Sequence, residues 1–103
     1  MIKVRDMKKS ELAFAKSLTD VEDWGNSKED WDRLFRISIP LVAVDGDNLA
    51  GITTAFDYGV LGMIGNVVVS KESRGKGVGQ ELIKEAMTRL ESCKSVRVHS
   101  RME

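Results

Sequence analysis

Three glycines in five positions, Gly75, Gly77 and Gly79, separate a valine run from an amphipathic stretch. Each glycine raises the conformational entropy lost on folding, so the cluster needs a reason. A chain that must bring its backbone close to a ligand supplies one. Upstream, Met63 to Val69 reads as a strand, and Val67-Val68-Val69 suggests burial on both faces. Downstream, Val78, Leu82, Ile83, Ala86, Met87 and Leu90 recur on one face of a helix. The start of that helix offers unpaired amides and the positive end of its dipole. Strand, glycine loop and helix start together make a site for a diphosphate, with Arg74 and Lys76 adding charge. A P-loop is excluded, because no lysine precedes Ser or Thr in the Gly-x-x-x-x-Gly-Lys frame. A dinucleotide fingerprint is excluded too: Gly75 and Gly77 fit, but Gln80 stands where the third glycine belongs.

The rest of the chain supplies a context. Ile2 to Arg5 alternates as a strand, and Asp6 is the expected N-cap of a helix from Lys8 to Leu18. Thr19 to Asn26 reads as a connection. Ser27 to Asp30 has capping-box form, and Trp31, Leu34 and Phe35 continue a second helix, which Pro40 is expected to stop. Leu41 to Val44, a turn at Asp45 to Asn48, and Leu49 to Phe56 form a hairpin weakened at Gly51. Ser95 to Ser100 alternates as a last strand. The order is β-α-α-β-β-β-α-β. The strand–helix–strand unit from Met63 to His99 predicts a parallel pair.

Val-Val-Val-Ser-x-x-x-Arg-Gly-Lys-Gly-Val-Gly resembles motif A of the GNAT N-acetyltransferase superfamily, with the core Arg/Gln-x-x-Gly-x-Gly/Ala filled by Arg74, Gly77 and Gly79. The resemblance implies an α/β acyl-CoA N-acyltransferase fold, a central mixed sheet with flanking helices. It implies acetyl-CoA as cosubstrate and a small-molecule or protein amine as acceptor. It assigns the CoA diphosphate to Arg74, Gly75, Lys76, Gly77, Val78, Gly79 and Gln80. It assigns the pantetheine arm and thioester carbonyl to Val67, Val68 and Val69. The likeness spans the chain in topology and about 30 residues in motif detail.

The family pattern usually continues with Asn-x-x-Ala and a helix whose tyrosine protonates the leaving thiolate. Here the sequence stops at Glu103, and the single tyrosine, Tyr58, stands in an earlier hairpin. The expectation is one domain over residues 1–103 whose C-terminal part is missing. Three explanations stay open: a fragment, a short form that completes its sheet as a homodimer, or a CoA-binding module without turnover. A phosphate-binding domain unrelated to CoA is the further alternative.

Catalytic candidates are His99, the only histidine, and Asn66, where related enzymes sometimes carry glutamate. Asp57 and Tyr58 are read as hairpin-surface residues more than as neighbours of an acceptor. Asp20, Glu22, Asp23, Glu29, Asp30 and Asp32 suggest an acidic rim for a cationic amine, against a solvated face. Trp24 and Trp31 are read as packing on the sheet more than as pocket walls.

Composition narrows the classes. Sixteen basic and sixteen acidic side chains give zero net charge, which argues against a nucleic-acid binder. Residues 1–70 carry 8 basic and 11 acidic groups, net −3; residues 71–103 carry 8 and 5, net +3. The basic third suits an anionic ligand. The single cysteine, Cys93, permits no internal disulfide, and no apolar run reaches membrane-spanning length. No Cys/His cluster suggests a metal. These features predict a cytoplasmic protein without a membrane or nucleic-acid partner.

Overall fold

The computed structural model describes residues 1–21 and 27–98. Five strands lie in sequence order: β1 (Ile2–Asp6), β2 (Ile39–Asp45), β3 (Asn48–Asp57), β4 (Leu61–Val69) and β5 (Ser95–Val98). Neighbours are antiparallel up to β4, and β4 pairs β5 in parallel. The helices are α1 (Leu12–Val21), α2 (Lys28–Ile37) and α3 (Val78–Arg89). The result is an α/β fold with a mixed sheet, in the expected element order. Among the described residues no helix is long and apolar enough to cross a membrane.

The period of two along each strand divides the core between two faces. Val42, Ile52 and Val68 pack with Ala15 of α1 and Trp31 of α2. On the other face, Leu41, Ala55 and Ile64 meet Ala86 and Leu90, while Ala43 and Ala50 meet Val78 and Leu82 of α3. The valine run is covered on both sides as its composition predicted: Val68 belongs to the first face, Val67 and Val69 to the second. Gly51 has a packing reason. A Cβ there would sit 2.9 Å from the Val68 carbonyl oxygen and 3.1 Å from Leu82. Its bareness lets β3, β4 and α3 close up.

Several boundaries differ from the sequence expectation. Asp6 does not cap α1. It ends β1 opposite Leu41 and pairs with Arg89, which also holds Glu85 at 2.9 Å. The chain instead turns through a 3-10 segment, Lys9–Glu11, into α1. Glu11 takes over the cap: its carboxylate accepts the Lys8 amide at 2.8 Å and the Arg5 guanidinium at 2.9 and 2.7 Å. α1 also runs past Leu18. Thr19 is buried inside it, donating its hydroxyl to the Ala15 carbonyl at 3.2 Å and accepting the Trp31 indole N–H at 3.2 Å. A threonine that satisfies itself on the preceding turn is compatible with a helix interior.

The Ser27–Asp30 capping box forms as predicted, with reciprocal bonds of 3.1 and 2.9 Å. Pro40 does not stop α2. The helix ends at Ile37, and Pro40 is the second residue of β2, opposite Thr54. Its carbonyl accepts the Met7 amide at 2.9 Å, so its nitrogen faces the side where β1 has ended. No ladder bond is lost there. β4 starts two residues earlier than expected, at Leu61.

The Glu11 carboxyl is held below its ordinary value, first by the Arg5 hydrogen bonds and further by the Lys8 amide. A lowered folded value means that the stabilisation is complete above the unfolded value near ~4.3 and is lost as pH falls through the folded value. Urea unfolding at a series of pH values should show a decline below about pH 4.3 that is shallower in Glu11→Gln, which at neutral pH is less stable by about 1–2 kcal/mol.

Candidate functional site

The site begins with an irregularity in β4. Ile52 pairs with Val68, but Thr54 pairs with Gly65, so β4 carries one residue more than β3 over this stretch. The extra residue is accommodated at Asn66, whose φ is 54°. Asparagine is among the few residues that enter the left-handed region readily. The bulge is fastened by side chains: the Thr53 and Thr54 hydroxyls donate to the Gly65 carbonyl at 2.9 and 3.1 Å, and Asn66 Nδ2 donates to Thr54 Oγ1 at 3.0 Å.

A bulge bends the strand and raises its twist. Among the described residues, β4 keeps β5 only from Leu61 to Ile64. Residues 65–69 have a strand partner on the β3 side alone. The Ser70 amide donates to the Ala50 carbonyl at 2.8 Å. By alternation Val68 turns its amide toward β3, whereas the amides of Val67 and Val69 face the open edge. The Val69 carbonyl lies on that edge too, where Arg74 Nε reaches it at 3.3 Å. Of the three valines, Val67 and Val69 thus offer backbone donors, and Val68 anchors the strand.

β4 leads through a 3-10 turn, Lys71–Ser73, into the glycine segment. Gly75 has φ 83° and Gly77, the N-cap of α3, has φ 80°. A Cβ at either would meet nothing within 4 Å, so the left-handed backbone, not crowding, selects glycine there. Gly79 is different. It lies in the first turn of α3, where a Cβ would meet only Val69 Cγ2 at 3.7 Å. The fold accepts alanine there, and a helical glycine costs about 1 kcal/mol relative to it. What Gly79 leaves is bare backbone beside Val69, over the unpaired amides of the helix start. Val78 is buried against Ala43, Ala50 and Leu82; it orients the helix and contributes only backbone to the surface. Gln80 is exposed.

Cavities flank this segment. One of ≈340 Å3 runs beside Val68, Val69 and Arg74, with Phe14 and Leu18 of α1 opposite. The other, ≈350 Å3, is bounded by Asp45, Asn48, Ser73 and Lys76. Lys76 Nζ stands 3.8 Å from Asp45 Oδ2. Open strand amides, helix-start amides and two cations therefore lie along one track, suited to an anion with an amide-bearing tail.

The remaining candidates separate. His99, Glu22, Asp23 and Trp24 lie outside the described residues. Asn66 is committed to the bulge. Tyr58 is 62% exposed and stacks on Phe56 at the turn between β3 and β4, the end of β4 away from the glycine segment. Asp57 accepts the Gly59 amide at 2.8 Å, as a turn residue does. The Cys93 thiol is pushed up by burial and then by Asp57, so it is kept protonated rather than activated. Trp31 is buried in the core, packed on the sheet as the sequence reading favours. Asp20 is paired with Lys16 at 2.8 Å and Asp30 is used in the capping box, which leaves the acidic rim without two of its members. The bulge itself escaped the sequence reading. Its signal was Gly65-Asn66 inside an apolar strand, opposite two adjacent threonines.

The comparisons with known proteins agree with this geometry. The family model described as Acetyltransferase (GNAT) family matches residues 4–102. No curated protein matches the sequence. Among solved structures, glucosamine-6-phosphate N-acetyltransferase from Arabidopsis thaliana is 20% identical with a TM-score of 0.75, over 99% of this chain and 84% of that one. Ribosomal-protein-alanine N-acetyltransferase from Brucella melitensis biovar Abortus 2308 is 17% identical with a TM-score of 0.81, over 98% and 81%. N-acetylglutamate synthase from Neisseria gonorrhoeae, complexed with coenzyme A and N-acetyl-glutamate, is 16% identical with a TM-score of 0.80, over 97% of this chain and 25% of that one. At such identities the structures speak for the fold, and the family match speaks for the lineage: the chain belongs to the GNAT acetyltransferase family.

Proposed function

We propose that the chain binds acetyl-CoA and transfers the acetyl group to a primary amine. The observation that carries this reading is the junction of the open Val67 and Val69 amides with the glycine-cleared start of α3. In this reading the amides around residues 75–80 receive the diphosphate, with Arg74 and Lys76 contributing charge. The open edge of β4 pairs with the amides of the pantetheine arm much as a fifth-neighbour strand would. The Val67 or Val69 amide donates to the thioester carbonyl oxygen and stabilises the charge that develops on it. The amine nitrogen attacks that carbon, a C–N bond forms, the C–S bond breaks, and one proton leaves the amine while one reaches the thiolate. Asn66 positions the strand for this and moves no proton. CoA binding without turnover is the second reading, since Tyr58 lies at the end of β4 away from the glycine segment. The outer edge of β5, without a strand partner among the described residues, supports a homodimer.

Calorimetric titration of acetyl-CoA should show binding that Gly77→Trp plus Gly79→Trp abolishes, with circular dichroism unchanged; no heat from the natural chain would sink the reading. Gly79→Ala should raise unfolding stability by about 0.5–1 kcal/mol, because a helical glycine is replaced, and leave acetyl-CoA binding in place, since a Cβ there meets only Val69 Cγ2 at 3.7 Å. Transfer of labelled acetyl to a panel of small and peptide amines then separates catalysis from binding alone.

A further inference from the structure

The α1–α2 hairpin carries a groove unrelated to the glycine segment. Two adjoining cavities of ≈320 and ≈490 Å3 lie between α1 and α2 and share Lys9, Leu12, Lys28 and Asp32. From Lys28 to Arg36 the groove follows α2 for about 12 Å, two turns of helix. Its floor is apolar, with Leu12, Trp31 and Phe35. Phe35 is only half-buried and belongs to none of the three core clusters, so the fold gives this aromatic ring no interior role.

The rim is basic. Lys9, Lys16, Lys28 and Arg36 surround the floor against one carboxylate, Asp32. Lys16 is paired with Asp20, but among the described residues Lys9, Lys28 and Arg36 have no ion pair. With Lys16 neutralised by Asp20, three cations face the one carboxylate Asp32, a local excess of two in a chain whose formal net charge is zero. Of the acidic rim expected of this region, Asp32 borders the groove, Asp20 pairs with Lys16 and Asp30 caps α2, while Glu22 and Asp23 lie outside the described residues.

We propose that this groove docks an acidic amphipathic segment of a partner protein. The segment would lay about two helical turns of apolar side chains onto Leu12, Ala13 and Phe35, with buried Trp31 beneath them, while its carboxylates meet Lys9, Lys28 and Arg36. The groove is open along its length. A small ligand is normally enclosed over most of its surface, whereas a docked helix keeps its far face in water, which is what this shape allows. The paired rim charges set the register and the sign of the partner.

The test uses the full chain labelled with 15N and a panel of peptides of about 12 residues, with Glu and Asp on one helical face and Leu and Phe on the other. A matched panel carries Lys in place of the acids. The acidic peptides should shift the Trp31 indole N–H and the backbone signals of Leu12 and Phe35 saturably. Lys9→Glu with Lys28→Glu and Arg36→Glu should weaken binding at least about tenfold. These cations are exposed and, among the described residues, unpaired, so the substitutions leave the fold intact, checked by circular dichroism. Phe35→Ala should weaken binding without removing the charge selectivity. The proposal is overturned if no acidic peptide shifts these signals, if the lysine panel binds as well, or if the charge-reversed chain binds unchanged. It is equally overturned if decanoate alone shifts them and no peptide does, since the groove would then serve a small amphiphile. Acetyl-CoA titration of the same samples reports the other site independently.

Discussion

One carbonyl sets the geometry on which the site depends. The Gly65 carbonyl accepts hydroxyls from both Thr53 and Thr54, and Asn66 takes a left-handed backbone to fit the extra residue in β4. The bulge bends β4 and raises its twist. Among the described residues, β4 pairs β5 from Leu61 to Ile64, and residues 65–69 have a strand partner on the β3 side alone. The arrangement uses three short polar side chains within the sheet: Thr53 and Thr54 donate to the Gly65 carbonyl and Asn66 donates to Thr54, so the departure from regular pairing is itself hydrogen-bonded.

The fold holds this edge in place by burying both faces of the strand that carries it. Val68 is gripped from the α1–α2 side and Val67 and Val69 from the α3 side. The first grip depends on Trp31, buried against Val42, Ile52 and Val68 with its indole N–H held by Thr19. The second depends on the bareness of Gly51, which lets α3 approach the sheet. Rigid support on both sides keeps backbone donors aimed, a requirement for any site that works through main-chain amides. Charge is distributed with the same economy. The chain is neutral as a whole, yet cations gather at the glycine segment and along the α1–α2 groove, while carboxylates such as Glu11, Asp30 and Glu85 are drawn into caps and ion pairs.

Much of this was legible in the sequence wherever the determinant is local. The capping box at Ser27 and Asp30, the helical face of Val78 to Leu90, and the glycines at 75 and 77 each depend on residues within a turn or two. The element order and the resemblance to the GNAT superfamily followed from them. Misreadings arose where a distant partner decided. Asp6 has the chemistry of a helix cap, but pairing with β2 keeps it in a strand. Pro40 has the chemistry of a helix stop, yet the end of β1 leaves room for it in β2. Thr19 looks like a connection residue until the Trp31 indole N–H, from the next helix, donates to its hydroxyl.

The sequence by itself determined the helices, the strands and the glycine-rich turn, because propensity, capping and positive φ act through neighbours along the chain. Only the tertiary structure decided which strand edge stays open, which valine amides face it, and where the basic groove runs. Those features arise from register and from the packing of segments far apart in sequence, and a one-residue bulge in β4 reassigns every amide beyond it.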